Sequence, residues 1–337
     1  MGETTNETDL PAAEPEAMRQ EVRALQEREG LSLADIAKAA GIPYGTFTPF
    51  MTGKYAGNNE ALAGRVKRWL DSRISQRRHQ SALPKAPGFI ATPTAVLFMT
   101  SLEHAQAAPD IAVISGGAGV GKTSAICEYR RTAPNVWVIT ARPSLCTVQP
   151  VLEELLAVLA ITERAPSRRT ASIIRRVEGT GGLIVVDEAQ HLRTEALEEL
   201  RSIHDASGVG IALVGNESVY SKLDGNGRSP EFAQLFRRIG LRTRRKQAAT
   251  QDIAALADAW GVAGAAERRL LHTIAKKPGA LGGLTKVMRL AHMLALGEAD
   301  GEPPLVTEGH IARAWSRISD QPAEAIAVAH GAERGGN

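Results

Sequence analysis

The chain has 337 residues, of which 43% are hydrophobic, 23% charged and 4% aromatic, enough apolar material for about two globular domains at roughly 150 residues each. No apolar run approaches the ~18 residues of a membrane-spanning helix, and the first 17 residues carry five acidic side chains and no Lys or Arg, unlike a secretory signal. Cys127 and Cys146 form no CxxC pattern that would hold zinc or frame disulfides, so a reduced, cytoplasmic protein is expected, with no membrane partner.

The formal net charge of +3 identifies nothing by itself, but the charge is unevenly placed. Residues 65–85 hold Arg65, Lys67, Arg68, Arg73, Arg77, Arg78 and Lys85 against Asp71 alone, and a second basic cluster runs through Arg237, Arg238, Arg242, Arg244, Arg245 and Lys246. Such clusters suit a phosphate backbone; solvated faces and linkers carry them too.

In chain order, residues 1–17 are acidic, lack aromatics and are expected to be disordered. Residues 18–72 read as a compact helical unit. Counting from Leu33, Ala37 is fifth and Gly41 ninth, with Ile36, Ala40, Ile42, Phe47 and Phe50 as apolar anchors. A helix-turn-helix needs this spacing: a small residue where two helices cross, glycine at the turn, and anchors beneath the second helix. The stretch resembles the repressor-like helix-turn-helix family. Pro49 is expected to end the second helix after Phe47–Thr48, and Tyr44, Gly45, Thr46 and Thr48 offer no Arg, Asn or Gln to a base edge. Lys54, Arg65, Lys67 and Arg68 are candidates for phosphate contacts. The unit is read as DNA-binding, with a protein-docking or vestigial role as the alternative.

Residues 73–95, with Pro84, Pro87 and Pro93, read as a linker. From 96 to 248 short β-branched runs alternate with helical stretches: Ile111–Ser115, Val136–Thr140, Leu183–Asp187 and Gly210–Gly215. That alternation predicts an α/β domain, a parallel sheet flanked by helices. Residues 249–318 are helical in pattern, and 319–337 form an Ala/Gly-rich flexible tail.

The first strand runs directly into Gly116-Gly117-Ala118-Gly119-Val120-Gly121-Lys122-Thr123, followed by a helix from Ser124 to Arg131. Strand, GxxxxGK[ST] and helix together are the context of a phosphate-binding loop. Its glycines let backbone N–H groups curl around phosphate oxygens at a helix N-terminus. Lys122 would bridge the β- and γ-phosphates and Thr123 would bind Mg²⁺; Ser124 opens the helix. Leu183-Ile184-Val185-Val186 reads as a buried strand ending in Asp187 and Glu188, the first suited to orient the Mg²⁺ shell and the second to activate a water. Two adjacent carboxylates closing an apolar strand are unfavourable unless a cation or water network offsets them. Asn216, after Gly210–Gly215, is placed to sense the γ-phosphate or simply to make a turn. Arg238, or else Arg237, precedes the last strand, where an arginine can reach a neighbouring subunit's γ-phosphate and stabilise developing charge. His191, His204 and His272 show no metal spacing.

Together, GGAGVGKT, VVDEAQHL, LVGN, LFRRIGLR and a helical stretch containing ADAWGV resemble the AAA+ ATPases. With the helix-turn-helix in front, the order is similar to the phage Mu B-like transposition ATPases over roughly residues 30–320. The resemblance implies an AAA+ P-loop core with a helical lid that hydrolyses ATP with Mg²⁺. It further implies sequence-non-specific binding of double-stranded DNA in the ATP state, self-association into helical filaments, delivery of that DNA to a DDE-type transposase, and release on hydrolysis. On that reading Arg142, Arg168, Arg169, Arg175 and Arg176 are candidates for the DNA-facing surface, and such binding would be strongly salt-dependent. Where many relatives place a nucleotide-sensing arginine in the lid, this chain has Gly279-Ala-Leu-Gly-Gly-Leu-Thr-Lys286-Val-Met-Arg289; Lys286 is taken as the contact, with Arg289, or the absence of this role, as the alternatives. An ATP-gated DNA-binding regulator and a helicase-loader-type or secretion motor remain the other readings.

Overall fold

The computed structural model describes residues 14–82, 86–219, 239–298 and 305–319. The expectations for the outermost termini, and for Arg237 and Arg238, lie outside the described residues. The chain divides into two compact units, Met1–Leu83 and Pro84–Asn337.

The first unit packs four helices: α1 (Pro15–Glu29), α2 (Leu33–Ala39), α3 (Tyr44–Met51) and α4 (Asn59–Ala82). Ser32 starts α2 through a reciprocal cap with Asp35, which satisfies two otherwise unpaired N–H groups. Gly41 turns the chain at φ 64°, a conformation glycine adopts without steric penalty, and the Arg65 guanidinium donates to its carbonyl at 2.9 Å. Ala37, Ile36, Phe47 and Phe50 are buried in one core, as the spacing predicts.

Pro49 does not end α3; the helix continues to Met51 with Pro49 inside it. A proline in a helix costs about 3 kcal/mol, whereas burying a side chain such as Phe47, Phe50 or Met51 gains about 1.5–3 kcal/mol each, so packing on both sides of the proline outweighs the lost hydrogen bond. The expected linker is also shorter than the sequence suggests. Helix α4 runs on to Ala82 and α5 (Pro93–Ala107) has already begun at Pro93, so among the described residues only 86–92 are irregular. Likewise Pro15–Ala17, expected in the disordered tail, belong to α1.

In the second unit α5 is followed by β1 (Ile111–Gly116), α6 (Lys122–Thr132), β2 (Val136–Thr140), α7 (Val148–Val158), α8 (Arg169–Val177), β3 (Leu183–Asp187), α9 (Thr194–Ser207), β4 (Gly210–Gly215) and β5 (Ile239–Arg245). The strands form one sheet in the order β2-β3-β4-β1-β5, and every pairing is parallel. β1, β3 and β4 are buried along their whole length, as expected of strands covered by helices on both faces. Alternate side chains feed two cores: Ile111 and Val113 pack on one face, Ala112 and Ile114 on the other. In such open sheets ligands bind beyond the carboxyl ends of the strands; the glycine loop leaves β1 there, and Asp187 ends β3 nearby.

Four further helices, α10 (Thr250–Ala259), α11 (Ala265–Ala275), α12 (Ala280–Glu298) and α13 (Glu308–Ser319), share a core of Leu271, Leu284, Val287, Met288, Ile311 and Trp315. They are the expected lid. Among the described residues no helix is long and apolar enough to cross a membrane.

Candidate nucleotide site

The glycine loop is shaped by close approach. Gly119 has φ 78°, and a Cβ there would lie 1.9 Å from the carbonyl oxygen of Gly279; the Gly282 N–H donates back to the Gly119 carbonyl at 3.2 Å. The loop thus docks directly on the start of the lid helix α12, which explains glycine at position 119. Gly117 is similarly close to the Lys246 carbonyl that follows β5, so the loop is clamped between the sheet edge and the lid. Val120 turns its side chain into the core beneath.

Lys122, the first residue of α6, is 9% exposed. Its ammonium donates to the Gly116 and Gly117 carbonyls, each at 2.8 Å. Burial pushes its pKa down, partly offset by the Glu188 and Asp187 carboxylates. The Thr123 hydroxyl donates to Asp187 at 2.9 Å. Asp187, 4% exposed, is pushed above the ordinary carboxylate range, first by burial, against the Thr123 hydroxyl and the Glu188 amide, which lower it. Glu188 adopts φ 55°, a left-handed conformation unfavourable for a residue with a Cβ and common at functional sites.

Lys122, Thr123 and Glu188 border a cavity of about 430 Å³, within the range of small-molecule sites, and Asp187 stands behind Thr123. Ala118, Gly119, Gly121, Lys122, Thr123, Ser124 and Glu188 line one end; Phe89, Ile90, Leu256, Trp260, Leu281 and Thr285 line the rest. A polar end next to a largely apolar one suits a nucleotide, phosphates toward the glycine loop and base toward the lid. The sequence reading missed that apolar wall, because residues 86–90 sit in a proline-rich stretch that looks like linker. Phe89 and Ile90 were the available signal. The hydroxyl of Thr123 and the carboxylate of Asp187, which already meet, are hard oxygen ligands of the kind that fits Mg²⁺. Magnesium typically takes one or two protein ligands plus nucleotide phosphates.

Lys286 does not line this cavity. It borders an adjoining one of about 500 Å³, which shares Gly119 and Gly282 with the first, together with Lys277, Pro278, Trp315 and Ile318, whereas Arg289, nearly a turn further along α12, lines the nucleotide cavity. The helix rotation between the two positions decides which cation faces the site. Asn216 also lies outside the cavity lining; its side-chain oxygen accepts from the Ser218 amide at 2.9 Å and hydroxyl at 2.6 Å, capping the turn after β4.

Of the expected DNA-facing cations, Lys54, Arg142, Arg168, Arg175 and Arg176 are exposed. Arg169 is committed elsewhere: it donates to Glu153 at 2.7 Å and Gln149 at 2.9 Å, fastening α8 to α7 with its side chain only 14% exposed.

Comparison with known proteins agrees with this geometry. The AAA domain family matches residues 106–223 and the "Mu B transposition protein, C terminal" family matches residues 237–318. The chain is 40% identical over 305 residues, 89% of its length, to 95% of the ATP-dependent target DNA activator B of Escherichia phage Mu. It is 36% identical over 261 residues, 76% of its length, to 90% of the Mu-like prophage FluMu DNA transposition protein B of Haemophilus influenzae. Among solved structures, the Aeropyrum pernix Orc1 protein in complex with DNA superposes with a TM-score of 0.52 at 14% identity, covering 70% of this chain and 68% of that one, a likeness of fold alone. The site is that of an AAA ATPase, and the chain belongs to the Mu B transposition protein family.

Proposed function

We propose that this ATPase uses ATP binding to assemble as a filament on double-stranded DNA without regard to sequence, delivers that DNA to a DDE-type transposase, stimulates strand transfer, and lets go on hydrolysis, within the cytoplasm of a bacterial host. The observation that carries the reading is the meeting of Lys122, Thr123 and Glu188 around one nucleotide-sized cavity, with Asp187 bonded to Thr123, in a chain alike along most of its length to a protein named for ATP-dependent activation of target DNA.

Lys122 gives up its two carbonyl contacts for the β- and γ-phosphates. Thr123 and Asp187 would hold Mg²⁺, which would supply positive charge to neutralise that developing on the phosphates. Glu188 orients a water and takes its proton; Gly116 to Gly121 present backbone N–H groups, with Ser124 beside them. Arg289, rather than Lys286, reads the nucleotide from the lid. Asn216 acts through the end of β4. Arg238 of one subunit completes the site of the next, a head-to-tail contact that propagates into a filament. Exposed Arg142, Arg168, Arg175 and Arg176 face the DNA backbone, and Lys54 of the first unit adds a phosphate contact from the α2–α3 helix-turn-helix.

The test is negative-stain microscopy of the full chain with random-sequence duplex DNA, with ATP and with ADP, using Lys122→Ala as the control. Filaments coating DNA only with ATP, absent in Lys122→Ala, are expected. Closed rings, or monomers leaving DNA bare at low salt, would refute the reading in favour of a loader or regulator.

A further inference from the structure

Glu188 lines the nucleotide cavity beside Lys122 and has a second partner outside the glycine loop. Its side-chain carboxylate accepts a hydrogen bond from the Gln190 amide nitrogen, while the Gln190 side-chain oxygen accepts from the Asn216 backbone N–H at 3.2 Å. One half-buried glutamine therefore bridges the residue after β3 and the residue after β4. The bridge occupies built space: a Cβ at Gly215 would lie 2.3 Å from that same glutamine oxygen, so β4 must end in glycine for the bridge to form. Glu188 itself sits in a left-handed conformation, which surrounding contacts must hold.

We propose that Gln190 is a positioning residue for hydrolysis, tying the Glu188 carboxylate to the end of β4 at Asn216 so that the two move as one. A side-chain amide suits this task because it donates and accepts at once: the nitrogen serves the carboxylate and the oxygen serves the backbone amide. A carboxylate at the same position offers no donor at neutral pH and places a like charge beside Glu188. The inference rests on the reading of Glu188 as the group that activates water.

The experiment is steady-state ATP hydrolysis by the full chain with duplex DNA, together with binding of a non-hydrolysable ATP analogue. Gln190→Ala and the equal-sized Gln190→Glu are each made alone and in the Glu188→Gln background. Each single substitution should lower kcat about 10- to 100-fold, the scale of a small misplacement of a catalytic group. KM for ATP and analogue affinity, which also report folding, should stay within about twofold. With Glu188→Gln already present, Gln190→Ala should change the residual rate by less than about twofold, because a group acting through Glu188 has nothing left to position. Unchanged kcat in both single variants overturns the proposal. So does an equal fractional loss in the Glu188→Gln background, which marks a merely structural role. If Glu188→Gln alone hydrolyses at the wild-type rate, the reading of Glu188 fails instead, and this inference falls with it.

Discussion

Asp252 joins the lid to the core, and its loss has a calculable effect. The side chain is fully buried. One carboxylate oxygen accepts the Thr94 amide at 2.9 Å; the other accepts the Thr94 hydroxyl at 2.6 Å and the Ala249 amide at 2.8 Å. Thr94 lies in the first turn of α5 and Ala249 just before α10, so a single carboxylate serves the N-termini of two helices far apart in sequence. Asp252→Ala leaves the buried Thr94 N–H without an acceptor at about 1–3 kcal/mol, and the half-buried Ala249 N–H and the rotatable Thr94 hydroxyl add less, so the loss should be about 2–4 kcal/mol. Asp252→Asn retains the acceptor for Thr94 but sets an amide donor against the Ala249 N–H, for about 1–2 kcal/mol; Thr94→Ala should cost about 1 kcal/mol. Denaturant unfolding followed by Trp260 and Trp315, both in the lid core, reads this order. Nucleotide affinity should fall about tenfold in Asp252→Ala, because Leu256 of α10 and Thr92 and Ala95 beside Thr94 line the same cavity. An Asp252→Ala protein within about 1 kcal/mol of wild type, or no less stable than Thr94→Ala, would refute the reasoning.

Other substitutions test the site. Glu188→Gln should bind ATP normally and hydrolyse it about 10²- to 10⁴-fold more slowly, as loss of a general base implies, and its DNA complexes should outlive those of wild type in a salt-challenge dissociation assay; equal dissociation rates would remove Glu188 from the water-activating role. Arg289→Ala should weaken nucleotide binding about tenfold while Lys286→Ala leaves it unchanged in calorimetry, and the reverse result would restore Lys286. His292 stacks on Trp260 with ring centroids 5.2 Å apart, and burial lowers its pKa. The folded lid therefore disfavours the charged ring, and stability should decline as pH falls through about 6.5, where the unfolded chain takes up the proton. His292→Phe should flatten that part of the stability profile; an unaltered profile would show that another group titrates.

The sequence by itself determined whatever depends on local pattern. A strand followed by GGAGVGKT and a helix dictates the loop, because the glycines let backbone N–H groups converge on phosphate at the start of the helix. Runs of buried residues ending at Asp187 and Gly215 marked β3 and β4 at the observed bounds, and the spacing of Ala37, Gly41 and Phe47 marked the α2–α3 turn. The sequence failed where long-range packing outvotes local preference. Buried Phe47, Phe50 and Met51 hold the helix through Pro49, and α4 continues into residues that look like linker. Only the tertiary structure decided which lid cation lines the cavity, that Arg169 is tied to Glu153 rather than presented to solvent, and that Phe89, Ile90 and Trp260 wall one cavity. The same holds for Gln190: its place in the AspGluAlaGln motif is visible in the sequence, but its bridge exists only because parallel pairing sets the ends of β3 and β4 side by side. Periodicity reports the face a residue takes on its own element; its partners depend on how distant elements pack.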